Sequence, residues 1–288
     1  MKSLKNMRLA LIQPRIIVDP DPEKNVDIAV SYIEAASSEK TNLVLFPEGY
    51  PGPILRRPKL FYDASHKINA AAKKYKICVC WSRMEYCKDG YFRLVVYVID
   101  HNGTQLIRYP RTHPATIPVE ETEVWVAPGD KGPPIFRING VLTSIAVCSE
   151  LWIPEYVRVA AIGGAELIIS PSGGKFTSLK DNWEIIARAR AIENLCYVAL
   201  TNNIWGNEVG SAMISGPEKI EATSGTEEIV LSSIDLERVR WLRSRDDSIK
   251  EPKSFKSIPG LLRARRPDLF KEITRSQENL FDYYKEKI

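Results

Sequence analysis

The stretch Val141-Leu142-Thr143-Ser144-Ile145-Ala146-Val147-Cys148-Ser149-Glu150-Leu151-Trp152-Ile153-Pro154-Glu155 passes from an apolar run to a polar break within one residue. The run from Val141 to Val147 is close to continuous, as expected of a strand covered on both faces. It ends at Cys148, and a helix of about Glu155 to Ala161 follows. Asn139-Gly140, just before the run, marks a hairpin turn. In α/β sheets ligands gather at the carboxyl ends of strands, so a thiol at such an end is a candidate for chemistry.

Working outward from this stretch, the pattern repeats on both sides. Leu9 to Ile12 reads as a strand, and Val26, Ala29, Val30 and Ile33 share one helix face, with Asp21-Pro22 as the expected N-cap and first turn. Leu43-Val44-Leu45-Phe46 is a second covered strand, stopping at Pro47-Glu48-Gly49. A helix of about Leu60 to Tyr75 leads to a strand from Ile77 to Trp81, and Asp89-Gly90 and Asn102-Gly103 flank a strand from Leu94 to Ile99. Tyr109 to Pro134 holds six prolines without a period, which predicts a long functional loop. After the quoted stretch come a strand (Glu166 to Ser170), a helix (Asn182 to Leu195), a strand (Tyr197 to Thr201), a Gly/Ser-punctuated strand region (Val209 to Ser233) and a short helix from Asp235. No repeat and no linker interrupts this series, which predicts one α/β domain.

The 288 residues, 44% of them hydrophobic, suffice for one large core. Forty Lys and Arg stand against 36 Asp and Glu, for a net charge of +4, and the basic residues are interspersed with acids rather than gathered into a stripe. That argues against nucleic acid as a partner. The basic stretch from Lys250 to Lys271 reads as a solvated, partner-contacting tail. The opening Lys2, Lys5 and Arg8 precede an apolar run too short for a secretory signal, and no run reaches the roughly 18 apolar residues of a membrane span. Five cysteines, Cys78, Cys80, Cys87, Cys148 and Cys196, are odd in number and lie mostly in apolar runs, as in a reducing compartment. The expectation is a cytoplasmic protein without membrane contact.

Alone, Glu48 reads more readily as a turn residue than as a base, and Cys148 as a small core residue rather than a nucleophile. The histidines His66, His101 and His113 have no ligand spacing, and Cys78-x-Cys80 lacks a second pair, so no metal is expected. There is no Gly-x-Ser-x-Gly elbow, and Gly173-Gly174-Lys175 reads as a strand-to-helix turn before it reads as an anion site.

Taken in order, six segments resemble the nitrilase superfamily of carbon-nitrogen hydrolases over nearly the whole chain. Leu43 to Glu48 is similar to its glutamate block, Arg108-Tyr109-Pro110-Arg111-Thr112-His113 to its lysine block, and Val147 to Glu155 to its nucleophile block. Trp183 through Arg188-Ala189-Arg190-Ala191-Ile192-Glu193-Asn194, then Gly210-Ser211-Ala212-Met213, then Arg265-Arg266-Pro267-Asp268-Leu269-Phe270 complete the set. The resemblance implies a four-layer α-β-β-α sandwich, usually paired into a dimer or a multiple of dimers, and a Glu-Lys-Cys catalytic set without cofactor. Carried over by position, Glu48 is the base, Cys148 the nucleophile and the Ser149 N–H an oxyanion donor. Glu121 is first choice for a second glutamate, with Glu120 and Glu123 as alternatives. Tyr50, Trp152, Ser172 and Phe176 would line the pocket. The hydrolase domain is expected over residues 1–260, with 261–288 as a tail at an oligomer interface.

The chain departs from the family at the lysine, where Arg111 stands after Pro110, and at Tyr91-Phe92-Arg93-Leu94, where an Asn-Ser pairing is usual. Arginine can supply positive charge but cannot surrender a proton near neutral pH. Three readings follow, of which an unrelated four-layer sandwich such as a metal phosphoesterase is disfavoured by the missing Asp/His ligand pattern, leaving two. One is a thiol hydrolase working on a small amide or N-carbamoyl compound, since Ser149-Glu150-Leu151 replaces the Trp-Glu-Asn associated with true nitrilases. The other is a catalytically impaired homologue that binds or scaffolds.

Overall fold

The computed structural model describes residues 4–18, 20–53, 61–114, 126–173, 179–204, 206, 210–226, 228–244 and 265–275. Two six-stranded sheets lie at the centre. The first has the order β12-β1-β2-β3-β4-β5, from β1 (Asn6–Ile12), β2 (Leu43–Leu45), β3 (Cys78–Tyr86), β4 (Phe92–Ile99), β5 (Gln105–Pro110) and β12 (Ile229–Asp235). The second has the order β11-β10-β9-β8-β7-β6, from β6 (Phe136–Ile138), β7 (Val141–Ile145), β8 (Leu167–Ser172), β9 (Tyr197–Asn202), β10 (Ala212–Ser215) and β11 (Ile220–Ser224). In each, three parallel strands, β1-β2-β3 and β7-β8-β9, form the middle and antiparallel strands the flanks.

Alternation along β1 separates two cores. Met7, Leu9 and Leu11 join Leu43, Leu45, Cys78 and Cys80 in the core shared with the second sheet. Ala10 and Ile12 join Val44, Phe46 and Val79 against Val26, Ala29 and Ile33 of α1 (Lys24–Ser38) and Ile68 and Ala72 of α2 (Ala64–Tyr75). The larger core continues to Val157 and Ala160 of α3 (Pro154–Ile162) and Ala187 and Ala191 of α4 (Lys180–Asn194). The layers are therefore helix, sheet, sheet, helix, the expected sandwich. α5 (Leu236–Arg243) begins at the end of β12, its first turn capped by the Asp235 carboxylate, which accepts the Arg238 N–H. From α5, Arg243 donates to the carbonyls of Ala165, Asn194 and Leu195, so a cation sits where α3 and α4 end.

Several local expectations are refined. Asn139 and Gly140 both take positive φ, +49° and +83°, the two-residue turn that joins β6 to β7. The expected cap of α1 at Asp21 is displaced: the helix starts at Lys24 after Glu23, because the Asp21 carboxylate is taken by the Lys24 ammonium at 2.7 Å. The proline-rich segment contributes the end of β5 and returns beside the start of β4, where Val126 bridges Phe92; residues 115–125 lie outside the described part. No helix among the described residues is long and apolar enough to cross a membrane.

Candidate active site

Three chain segments converge where the central strands end. β2 delivers Phe46, whose N–H bonds the Cys80 carbonyl, and the chain then turns at Pro47. Gly49 takes φ +73° there, and its N–H is held by the Ser82 hydroxyl at 2.7 Å. This turn presents Glu48, whose own N–H donates to the Ser172 carbonyl at 3.2 Å and whose carbonyl accepts Asn203 Nδ2 at 3.0 Å. The backbone beneath the carboxylate is thus fixed from two strands of the other sheet.

Arg111 leaves β5 with its N–H on the Leu94 carbonyl and its carbonyl on Gly129 N–H, both at 2.8 Å. Gly129 is obligatory: an added Cβ would lie 2.4 Å from the Pro110 carbonyl oxygen. The side chain is buried, at 5% exposure, and forks. Nη1 donates to Glu48 Oε1 and Nη2 to Ser149 Oγ, each at 2.6 Å.

Cys148 opens a 3-10 turn, Cys148–Trp152, with φ +49°. A non-glycine residue in the left-handed region costs about 1–2 kcal/mol. Such strain persists only where its surroundings impose it. Glu150 imposes it here. Its carboxylate, with no solvent exposure, accepts the Val147 N–H at 2.8 Å through Oε2. Through Oε1 it accepts Thr112 N–H at 2.8 Å, His113 N–H at 3.0 Å and the Tyr109 hydroxyl at 2.8 Å. One carboxylate therefore binds the nucleophile turn to the segment that carries Arg111. Arg190 secures the far end of the turn, donating to the carbonyls of Leu151 at 2.9 Å and Trp152 at 3.1 Å.

The Cys148 thiol is half-buried, with the Glu48 carboxylate, the Arg111 guanidinium and the Gly173 N–H close enough to act on its ionisation. Burial, then the Glu48 charge, push the thiol up to about 12, against the opposing pull of Arg111. It rests as a neutral thiol beside a base. Burial alone would lower the Arg111 guanidinium, but Glu48, Cys148 and Glu150 together carry it above its ordinary value, so it stays charged.

Among the expected site residues, Glu48, Arg111, Cys148 and Ser149 meet. Tyr50 is placed elsewhere: it is fully buried in the core beneath α1, against Phe46, with its hydroxyl on the Asn25 carbonyl at 3.1 Å. Ser172 is fully buried and serves Glu48 through its carbonyl. Trp152 is 37% exposed and packs edge-on against Trp183. Glu120, Glu121, Glu123 and Phe176 lie outside the described residues. Among those described, no three His, Cys, Asp or Glu side chains gather as a metal site would require. Glu150, Gly173, Arg190 and Asn203 were not foreseen as site residues. An acid two places after the nucleophile, and a glycine at the end of β8, were the available signals.

A four-layer sandwich with a thiol, a carboxylate and a cation gathered beyond the ends of β7, β2 and β5 has the groups that a thiol hydrolase requires. A family model described as carbon-nitrogen hydrolase matches residues 8–244. The chain belongs to that family, hydrolases acting on carbon-nitrogen bonds other than peptide bonds. It is 24% identical to N-carbamoylputrescine amidase of Solanum tuberosum, over 93% of this chain and 95% of that one. It is 25% identical to omega-amidase NIT2 of Homo sapiens, over 87% and 96%. The fold matches a carbon-nitrogen hydrolase from Helicobacter pylori G27 with a TM-score of 0.80, at 23% identity over 94% of this chain and 99% of the other. An amidase from Nesterenkonia sp. gives 0.72 at 24% identity, over 93% and 96%. A glutamate-to-glutamine variant of that amidase carries the acetamide moiety of fluoroacetamide on its active-site cysteine.

Two outcomes follow from the geometry. An alanine Cβ at Gly173 would lie 3.0 Å from the Glu48 carbonyl oxygen and 3.4 Å from Oε2. Gly173→Ala should therefore displace the carboxylate and slow the reaction of the site by about 10–100-fold, with little change in melting temperature. Unaltered kinetics would show that Glu48 tolerates the shift. Glu48→Gln removes the charge that, after burial, holds the thiol up, while its amide oxygen remains a hydrogen-bond acceptor. Iodoacetamide should then label Cys148 faster at pH 8, by about tenfold per unit of lowered pKa, as followed by peptide mass spectrometry. Equal or slower labelling contradicts this reading.

Proposed function

We propose that this chain hydrolyses the carbon-nitrogen bond of a small amide or N-carbamoyl compound through a Cys148 thioester. The observation that carries the reading is the meeting of Glu48 with both the Cys148 thiol and, at 2.6 Å, the fixed charge of Arg111. Amidase activity in the names of the relatives supports the substrate class.

Because the thiol rests protonated, Glu48 takes its proton as sulfur attacks the carbonyl carbon. The oxyanion forms beside the Ser149 N–H, which opens the 3-10 turn and has no acceptor within it. Arg111 supplies positive charge but keeps its proton. Glu48 therefore also delivers the proton to the departing nitrogen. Ammonia or amine leaves; Glu48 then draws a proton from water as that water opens the thioester, and returns it to the departing Cys148 sulfur as the acid is released. Glu121 is the proposed second carboxylate. No cofactor has a part in this cycle.

The test is to incubate the protein with small amides and N-carbamoyl amines, measure released ammonia, and look for the acyl group on the Cys148 peptide. Cys148→Ser should abolish turnover, and Glu48→Gln should lower it by about 10²–10⁴-fold. Absence of both product and adduct would leave the chain as a binding homologue.

The proposed domain spans 1–260, and the proposed assembly is a homodimer or multiple of it. Val159 and Ile162 on α3 and Ile185 on α4 are exposed at 56%, 49% and 65%, an unpartnered apolar face on the outer layer. Leu269, Phe270 and Ile273 of the tail are exposed as well, which supports packing of residues 261–288 at that interface. Val159→Asp combined with Ile185→Asp should halve the mass measured by light scattering. A monomeric native protein, or an unchanged mass, refutes the pairing. Five free thiols support the cytoplasm as the compartment.

A further inference from the structure

We propose that the Ser149 side chain is a positioning residue whose hydroxyl holds the Arg111 guanidinium off one oxygen of Glu48, so that this oxygen remains available to the nucleophile. The inference deepens the hydrolase reading and rests on it for its kinetic arm only.

A guanidinium is planar, and its donors have a fixed fork that matches a carboxylate with two parallel bonds. Left beside a carboxylate without another acceptor, it closes on both oxygens. Here it does not. Nη1 takes Oε1 of Glu48, and Nη2 is engaged by Ser149 Oγ at the same 2.6 Å. The two acceptors belong to different segments, the turn after β2 and the turn after β7. Two bonds to separate anchors fix the plane as well as the position of the group.

Oε2 of Glu48 lies on the other side, 3.4 Å from where a Cβ on Gly173 would stand. Gly173 is the residue whose N–H acts on the ionisation of Cys148. Oε1 thus binds the cation, and the proposal gives Oε2, on the Gly173 side, the work of meeting the thiol. Losing the Ser149 hydroxyl lets Nη2 turn to Oε2, and the base is sequestered in a bidentate ion pair. Ser149 is itself exposed, at the open side of the site, so its hydroxyl is replaceable without opening a core cavity.

A lysine ammonium has no planar fork and cannot close on a carboxylate in this way. The hydroxyl should thus matter with arginine and not with lysine at position 111. The experiment compares the native protein, Ser149→Ala, Ser149→Thr, Arg111→Lys and the Ser149→Ala/Arg111→Lys double variant.

On an amide that the native protein cleaves, Ser149→Ala should lower kcat by about 10–100-fold with KM within about threefold, the scale of a misplaced catalytic group. Ser149→Thr, which keeps the hydroxyl, should restore most of it. In the Arg111→Lys background the same alanine change should alter kcat by less than about twofold. Independently of any hydrolysis, the pH dependence of Cys148 labelling by iodoacetamide should move to lower pH in Ser149→Ala. The closed ion pair withdraws the charge and the hydrogen bond that keep the thiol protonated. Cys87, the other half-buried thiol, serves as internal reference and should not change.

Equal losses in the arginine and lysine backgrounds, threonine no better than alanine, or an unmoved Cys148 labelling profile would each overturn the proposal. If no amide is cleaved by the native protein, the hydrolase reading fails, and the labelling profile alone still decides the role of Ser149.

Discussion

A carboxylate removed from water has to find donors for its lone pairs, and Glu150 finds them on both sides of the site. Burying an ion costs several kcal/mol, and each charge-assisted hydrogen bond returns about 1.5–3 kcal/mol. Four such bonds offset the desolvation and leave enough to hold Cys148 at φ +49°, which costs about 1–2 kcal/mol. The same bonds draw Thr112 and His113 to the nucleophile turn, and with them Arg111. The site is thus two loops from different sheets joined by one buried acid, and the relative position of thiol and cation follows from that acid.

Glu48 and Arg111 form the second constraint. Arg111 has almost no solvent, and its charge is compensated by Glu48, Cys148 and Glu150. Removing one member of a buried pair typically costs 3–5 kcal/mol, because the other is left uncompensated. The ion pair is accordingly structural and chemical at once. It fixes the cation while pushing the Cys148 thiol upward through the retained carboxylate charge. The outcome is a thiol held neutral beside a carboxylate.

Much of this was legible in the sequence. Continuous apolar runs ending abruptly at Glu48 and Cys148 located both groups at strand ends, because a strand covered on both faces leaves no place for a charge before it stops. Asn139-Gly140 fixed the β6–β7 hairpin through its two positive φ values. What was not legible depends on direction and distance. Tyr50 is two residues from Glu48 in sequence, yet it turns into the core under α1, and no period marks that turn. Glu150 resembles any acid in an exposed turn until the chain segment of Thr112, 38 residues away, closes over it. The start of α1 shifted because a lysine competed for the expected cap.

An arginine at position 111 has a consequence that extends beyond one side chain. A lysine in a desolvated site can give a proton to a leaving amine, whereas a guanidinium cannot. In the proposed cycle every proton therefore passes through Glu48: from the thiol, to the departing nitrogen, from water, and back to sulfur. That requires a carboxylate with one oxygen free throughout, against a neighbour whose geometry favours seizing both. Under the proposal above, the Ser149 hydroxyl on the second arm of the fork keeps that oxygen free, while Gly173 leaves room for the Glu48 carbonyl and Cβ. An arginine at this position thus demands a particular neighbourhood, and that neighbourhood, more than the residue type at 111, determines whether the site can turn over.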